Sequence, residues 1–317
     1  MKQFFPYLFF FNILIGTYAH ANPNTIGCSV GAERQSFGGL PGFTTNPQAL
    51  VGYSCDLKPK RSTYLGNWFP SLPQLSISQS NRILTTDKNK PEADDYSQSW
   101  YANLAIKRVG NSQLIIHAGQ KKRQQTLTAN DGIPYFSADL SNTQEAITIQ
   151  KDQQAKVLYT ENNVGLSFVF LYHKQQPLTQ ITLQQRTIVQ PIQANITGLP
   201  HHSLYNTQVQ LIELGINSNS YRKGLNINWG VALAVGDINI DSNKIPNSDE
   251  KHSEIMNAYA VLELYYQYRF NRRWFTFSRW QGEVNYWRQG TSDNPEYELS
   301  EVNNIEQQIY LGLGFSF

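Results

Sequence analysis

Charge is scarce. Asp, Glu, Lys and Arg make up 16% of the 317 residues, well under the roughly 25% of an ordinary soluble domain. The balance is nearly neutral, with Lys+Arg 26 against Asp+Glu 24. A nucleic-acid binder carries a basic excess gathered on one face, and that excess is missing, so no nucleic-acid partner is expected. The mean hydropathy is −0.45, which excludes a bundle of membrane helices. Only two cysteines are present. Neither has a His near it in sequence, so no metal site is expected there. What is not scarce is aromatic residues, 13% of the chain, which excludes wholesale disorder.

The N-terminus reads as an address. Lys2 is the lone early charge, the run from Phe4 to Ile15 is apolar apart from Pro6 and Asn12, and Ala19-His20-Ala21 has the small-x-small form of a cleavage site. The run is well short of the ~20 residues a spanning helix needs. Residues 1–21 are therefore expected to be a secretory signal peptide cleaved after Ala21, leaving 22–317 as one domain.

An exported chain meets an oxidising compartment, where Cys28 and Cys55 are expected to pair. If a hairpin turn centres on Pro41-Gly42, residues whose numbers sum to 83 face each other, and Cys28 meets Cys55. The alternative is two unpaired small hydrophobic side chains.

The period along the rest of the chain is two. At the C-terminus Ile305, Gln307, Ile309, Leu311, Leu313, Phe315 and Phe317 share one parity. Glu306, Gln308, Tyr310, Gly312, Gly314 and Ser316 share the other. That is a strand with one apolar and one polar or small face. The same alternation runs through 225–236, 258–270 and 274–286. Such strands exceed the usual 5–6 residues and suit the 9–11 that a tilted strand needs to cross a bilayer. Aromatics near strand ends (Tyr268, Phe270, Trp274, Tyr286, Trp287) fit interfacial girdles. The polar parity is rich in Gly, Ala, Ser and Tyr, a composition for a crowded lumen rather than a soluble exterior.

These patterns predict an all-β transmembrane antiparallel barrel of twelve strands, with ten and fourteen as rival counts. The spans are 26–36, 48–56, 72–84, 98–109, 112–126, 153–160, 164–173, 204–216, 222–238, 257–270, 273–288 and 304–317. Short turns are expected at 110–111, 161–163, 217–221 and 271–272. Long loops are expected at 85–97, 127–152, 174–203, 239–256 and 289–303, the alternation of a barrel with periplasmic turns and outward loops. Two segments resist this scheme: 58–71 is long for a turn, and 174–203 holds enough apolar residues for another hairpin.

The last residues, Tyr310, Gly312, Phe315 and the terminal Phe317 among them, form a segment that resembles the C-terminal β-signal of Gram-negative outer-membrane barrels. The resemblance covers the last eight residues strictly and identifies no narrower family. It implies an outer-membrane location, contact with outer-membrane lipid and lipopolysaccharide, and recognition by the barrel assembly machinery.

Chemistry-bearing residues fall in two places. In the loops, His201-His202-Ser203 does not match the Asn-His-x-Ser pattern of outer-membrane phospholipases. Asp94-Asp95 with His252 is similar to the acidic and His loop clusters of omptin-like proteases, beside the plainer reading of hydrated loops. No catalytic set, cofactor or metal site is assigned. In the lumen, Lys107, His117, Glu263, Arg269, Arg279, Glu283, Glu306 and Gln308 belong to the inward parity. They form either a polar ladder that selects or binds a small solute or a salt-bridged filling. Lys121-Lys122-Arg123 ends a strand near the outer surface and reads either as a phosphate contact for lipopolysaccharide or as a solvated end. The expected function is a porin-like channel or small-solute binder with a constricted polar lumen. A closed structural or surface-interaction barrel is the alternative, and an outer-leaflet hydrolase ranks behind both.

Overall fold

Alternating sequences of this length can satisfy their backbone in lipid only if the sheet closes on itself. In the computed structural model it does. The structure describes residues 25–37, 43–45, 48–58, 74–82, 95–109, 112–129, 133–136, 146–149, 154–170, 178–196, 199–222, 224–242, 252–289 and 302–317. The elements are β1 (Thr25–Phe37), β2 (Phe43–Thr45), β3 (Gln48–Lys58), β4 (Gln74–Arg82), β5 (Tyr96–Val109), β6 (Ser112–Ala129), β7 (Ile133–Phe136) and β8 (Ala146–Ile149). They continue with β9 (Gln154–Phe170), β10 (Leu178–Ile196), β11 (Leu199–Arg222), β12 (Leu225–Ser242), β13 (His252–Arg269), β14 (Trp274–Gln289) and β15 (Val302–Ser316).

Twelve of these form the ring β1-β3-β4-β5-β6-β9-β10-β11-β12-β13-β14-β15, closed by β15 on β1. Every pairing is antiparallel. β2 caps the end of β6, and β7 pairs with β8 as a separate hairpin. Following the pairing once round from Leu225 returns to β12 at Asn239, 239 − 225 = 14 residues along. With ordinary strand spacing, that offset sets a tilt of about 40° and a backbone radius of about 12 Å. Long side chains reaching in from both walls fill a cylinder of that width.

Thr25 pairs with Ser316, so both ends of the barrel sequence lie at one rim. The tight β5–β6, β11–β12 and β13–β14 connections share that rim. The β11–β12 turn uses Gly224 at φ 86°, a left-handed conformation that suits glycine. At the other rim β11 runs past β12 at residues 199–204.

The outward face is apolar. On β12 Leu225, Ile227, Trp229, Val231, Leu233 and Val235 follow one another outward, about 26 Å of height at this tilt, close to the ~25 Å lipid band of such barrels. Phe168, Phe170, Tyr268, Phe270, Trp274 and Phe315 pair edge to face at the tight-turn rim, the position of an interfacial girdle. Trp287 is not part of a girdle; it packs inside against a buried cluster.

The strand count is twelve, but three of the expected connections are corrected. Residues 161–163 are not a turn; they lie mid-strand in β9, where Asn162 accepts from Gln120 Nε2 at 2.8 Å. Residues 174–203 are not one loop; β10 occupies most of them. One strand divided and one overlooked offset each other. The turn expected at 217–221 is instead strand, because β11 continues to Arg222. Polar residues inside strands read as turns when their partners stand on neighbouring strands distant in sequence. The cleavage residues Ala19 and Ala21, with the whole of 1–21, lie outside the described residues.

Cys28 and Cys55 face each other in register and form a disulfide with Cα–Cα 4.1 Å. It sits on the outward face, in line with Val30 and Tyr53, which are 68% and 47% exposed.

Candidate functional site: a charged layer across the lumen

The inward parity of β15 carries Glu306 toward the loop rim. Its Oε2 accepts from Lys121 Nζ at 2.7 Å and from Arg123 Nη2. Lys121 and Arg123 stand on β6, five strands away round the ring, so these ion pairs cross the lumen. Gln308 Nε2 donates to the other oxygen, Oε1, at 2.6 Å. Glu283 lies directly across from Glu306 in register, and the two basic groups offset the like charges.

A second knot shares the layer. Arg186 on β10 is 4% exposed. Its Nε donates to Glu161 Oε1 at 2.8 Å, and its Nη1 donates to Glu213 Oε2 at 2.6 Å and to Asn257 Oδ1 at 2.9 Å. Asn257 in turn donates to Asn285. The guanidinium also stands 5.9 Å from the ring centre of Trp287. Next to it Ile188, Val209, Leu211, Ala234, Ile238 and Ile255 make a buried apolar cluster on the same wall, packed by Tyr159 and Trp287.

Nearer the tight-turn rim, Arg279 Nε meets Glu263 Oε1 at 3.0 Å, and Arg279 Nη2 donates to Gln281 at 2.8 Å. Arg269 donates to Ser316 Oγ at 3.3 Å and lies over the Phe275 ring. Phe275 and Phe277 are buried over Gly314 and Gly312, where a Cβ would meet their rings at 2.1 and 2.4 Å. Tyr310 reaches Ser80 on β4, three strands round the ring, at 3.4 Å.

His117, 2% exposed, contacts Ser167 Oγ through Nδ1 at 3.2 Å and Gln184 Oε1 through Nε2 at 3.0 Å. A Ser–His–amide trio has the outline of a hydrolase relay. Here Ser167 is 1% exposed, accepts from Gln180 at 2.8 Å and shares a hydrogen bond with Thr182 at 2.9 Å. A nucleophile so enclosed has no route to a substrate, and the trio acts as packing.

Of the lumen candidates, His117, Glu263, Arg269, Arg279, Glu306 and Gln308 make the inward contacts just described. A register shift between Ala105 and Lys107 sets Lys107 opposite Leu114, and its side chain lies outside the described residues. Alternation splits Lys121-Lys122-Arg123: Lys121 and Arg123 meet Glu306, while Lys122 is exposed on the other face. Asp95 is buried and accepts from Thr126 at 2.8 Å. Asp94 and the side chains of His201, His202 and His252 lie outside the described residues. Among the described residues, no group of three or more His, Cys, Asp or Glu is placed to hold a metal ion.

Sequence reasoning missed Arg186, Glu161 and Glu213. The first sat in an expected loop and the second in an expected turn. Lys121 and Arg123 share the parity of His117, a signal that pointed inward.

No family model matches the chain, and no curated protein matches it. Among solved structures it is similar to the outer membrane protease OmpT from Escherichia coli, with 10% identity over 95% of this chain and 99% of that one and a TM-score of 0.33. It is also similar to the β domain of the Bordetella autotransporter BrkA, with 10% identity, 93% and 100% coverage and a TM-score of 0.39. The Ralstonia pickettii toluene transporter TbuX has 7% identity, 94% and 90% coverage and a TM-score of 0.36. The barrel assignment rests on the strand pairing of this chain.

Proposed function

We propose that this chain is a bacterial outer-membrane barrel whose narrow polar lumen binds or passes small solutes, closed at rest by the charged layer. The apolar band and the girdle support the membrane reading. In this reading the barrel assembly machinery receives the C-terminal strand, and the exposed Lys122 at the upper edge of the band faces lipopolysaccharide phosphates. The observation that carries the lumen reading is the carboxylate of Glu306, held across the barrel by Lys121 and Arg123. Side chains that meet only by reaching across the lumen can part without breaking the sheet.

A permanently closed structural barrel is the second reading. The buried apolar cluster beside Arg186 favours it, because a wet channel gains nothing from such a core. Single-channel recording in planar bilayers separates the two. The parent is expected to open briefly and rarely, and Glu306→Ala is expected to stay open longer. Silence from both leaves the closed barrel.

A further inference from the structure

The inner wall is uneven. Ser29, Ser54, Ser78 and Ser99 stand side by side on β1, β3, β4 and β5, and the next residue in that row is Lys121 on β6. The row above ends in the same way, at Arg123. Because the strands tilt, each row climbs from the tight-turn side toward the loop rim. Bulky groups fill the wall round Arg186, so among the described residues the short hydroxyl side chains mark the less bulky wall, partly covered where Tyr310 reaches Ser80, and its rows lead to two cations.

Those cations already hold a carboxylate. Glu306 uses one nitrogen of Lys121 and one of Arg123. Arg123 Nε is buried without an acceptor, and an ammonium carries three donors. The open donors of Lys121 and Arg123 suit an anion, although the Glu283 carboxylate stands in the same layer. A cation would have to lie against a guanidinium and an ammonium. Gln308 Nε2, on the other oxygen of Glu306, can keep that side chain hydrogen-bonded when it lets go.

We propose that the lumen solute is a small carboxylate anion, which takes the place of Glu306 on Lys121 and Arg123. Glu306 is then a built-in competitor for its own site. The proposal rests on the solute-path reading above and names the class of solute.

The test uses the full-length folded barrel in detergent and radiolabelled acetate at equilibrium, with folding of each variant checked by its compact migration before heating. The parent binds acetate saturably. Lys121→Gln and Arg123→Gln each weaken binding about tenfold or more, the loss of one charge-assisted hydrogen bond. Lys121→Arg retains binding, and Glu306→Gln tightens it. Bilayers under a potassium chloride gradient give an independent arm, in which Glu306→Gln favours chloride over potassium. Openings that prefer potassium, or acetate binding untouched by Lys121→Gln and Arg123→Gln, overturn the anion inference and leave the lumen reading standing. No saturable acetate binding together with no openings in either parent or Glu306→Gln removes the lumen reading, and this inference with it.

Discussion

Arg186 is enclosed among groups that each need it. Its guanidinium satisfies Glu161, Glu213 and Asn257 at once, all inside the barrel. Removing one member of a buried ion cluster leaves the others charged and unpaired, which costs about 3–5 kcal/mol, whereas replacing the whole cluster by neutral groups is often tolerated. Arg186→Met is thus expected to lower the temperature at which the folded barrel loses its compact migration. The triple change Arg186→Met, Glu161→Gln, Glu213→Gln is expected to restore most of the loss. A triple variant no better than Arg186→Met would show that the charges themselves hold this wall. None of this was legible in the sequence. Arg186 stands where the outward positions Gln185 and Thr187 are as polar as the inward ones, so the alternation that marks a strand fades there.

At the level of single elements, the first hairpin is the best specified. Its register follows from the turn position, and the disulfide locks β1 to β3 beside the seam where β1 meets β15. A cross-link of this loop size is worth about 2–4 kcal/mol, most simply through the unfolded chain. Cys28→Ser with Cys55→Ser should unfold from lipid vesicles at lower urea, and reduction of the unfolded parent before refolding should match it. Equal midpoints for oxidised and double-variant protein would remove the staple from the account. β9 and β10 were the least legible elements. Glu161, Asn162 and Asn163 look like a turn because turns favour such residues, and only the neighbouring strands show that Asn162 is paired with Gln120 and Glu161 with Arg186.

For the whole molecule, sidedness is the central property. Leu311 is 62% exposed near the middle of the apolar band, where an arginine costs about 2–4 kcal/mol in a barrel, against 0–1 near the interface. Leu311→Arg should fold poorly into vesicles. Gln185→Arg, at the upper edge of the band, should fold nearly as well as the parent. If both fold alike, the outward face does not meet lipid.

The amino-acid order by itself determined the two faces of each strand, the barrel class and the Cys28–Cys55 pairing, because alternation and hairpin register are local and repeat every two residues. Only the closed structure decided what occupies the lumen. Lys121 and Glu306 are 185 residues apart in the chain and five strands apart in the sheet. Their meeting depends on the number of strands, the stagger of 14 residues and the resulting width, quantities that belong to the closed ring and to no segment of it.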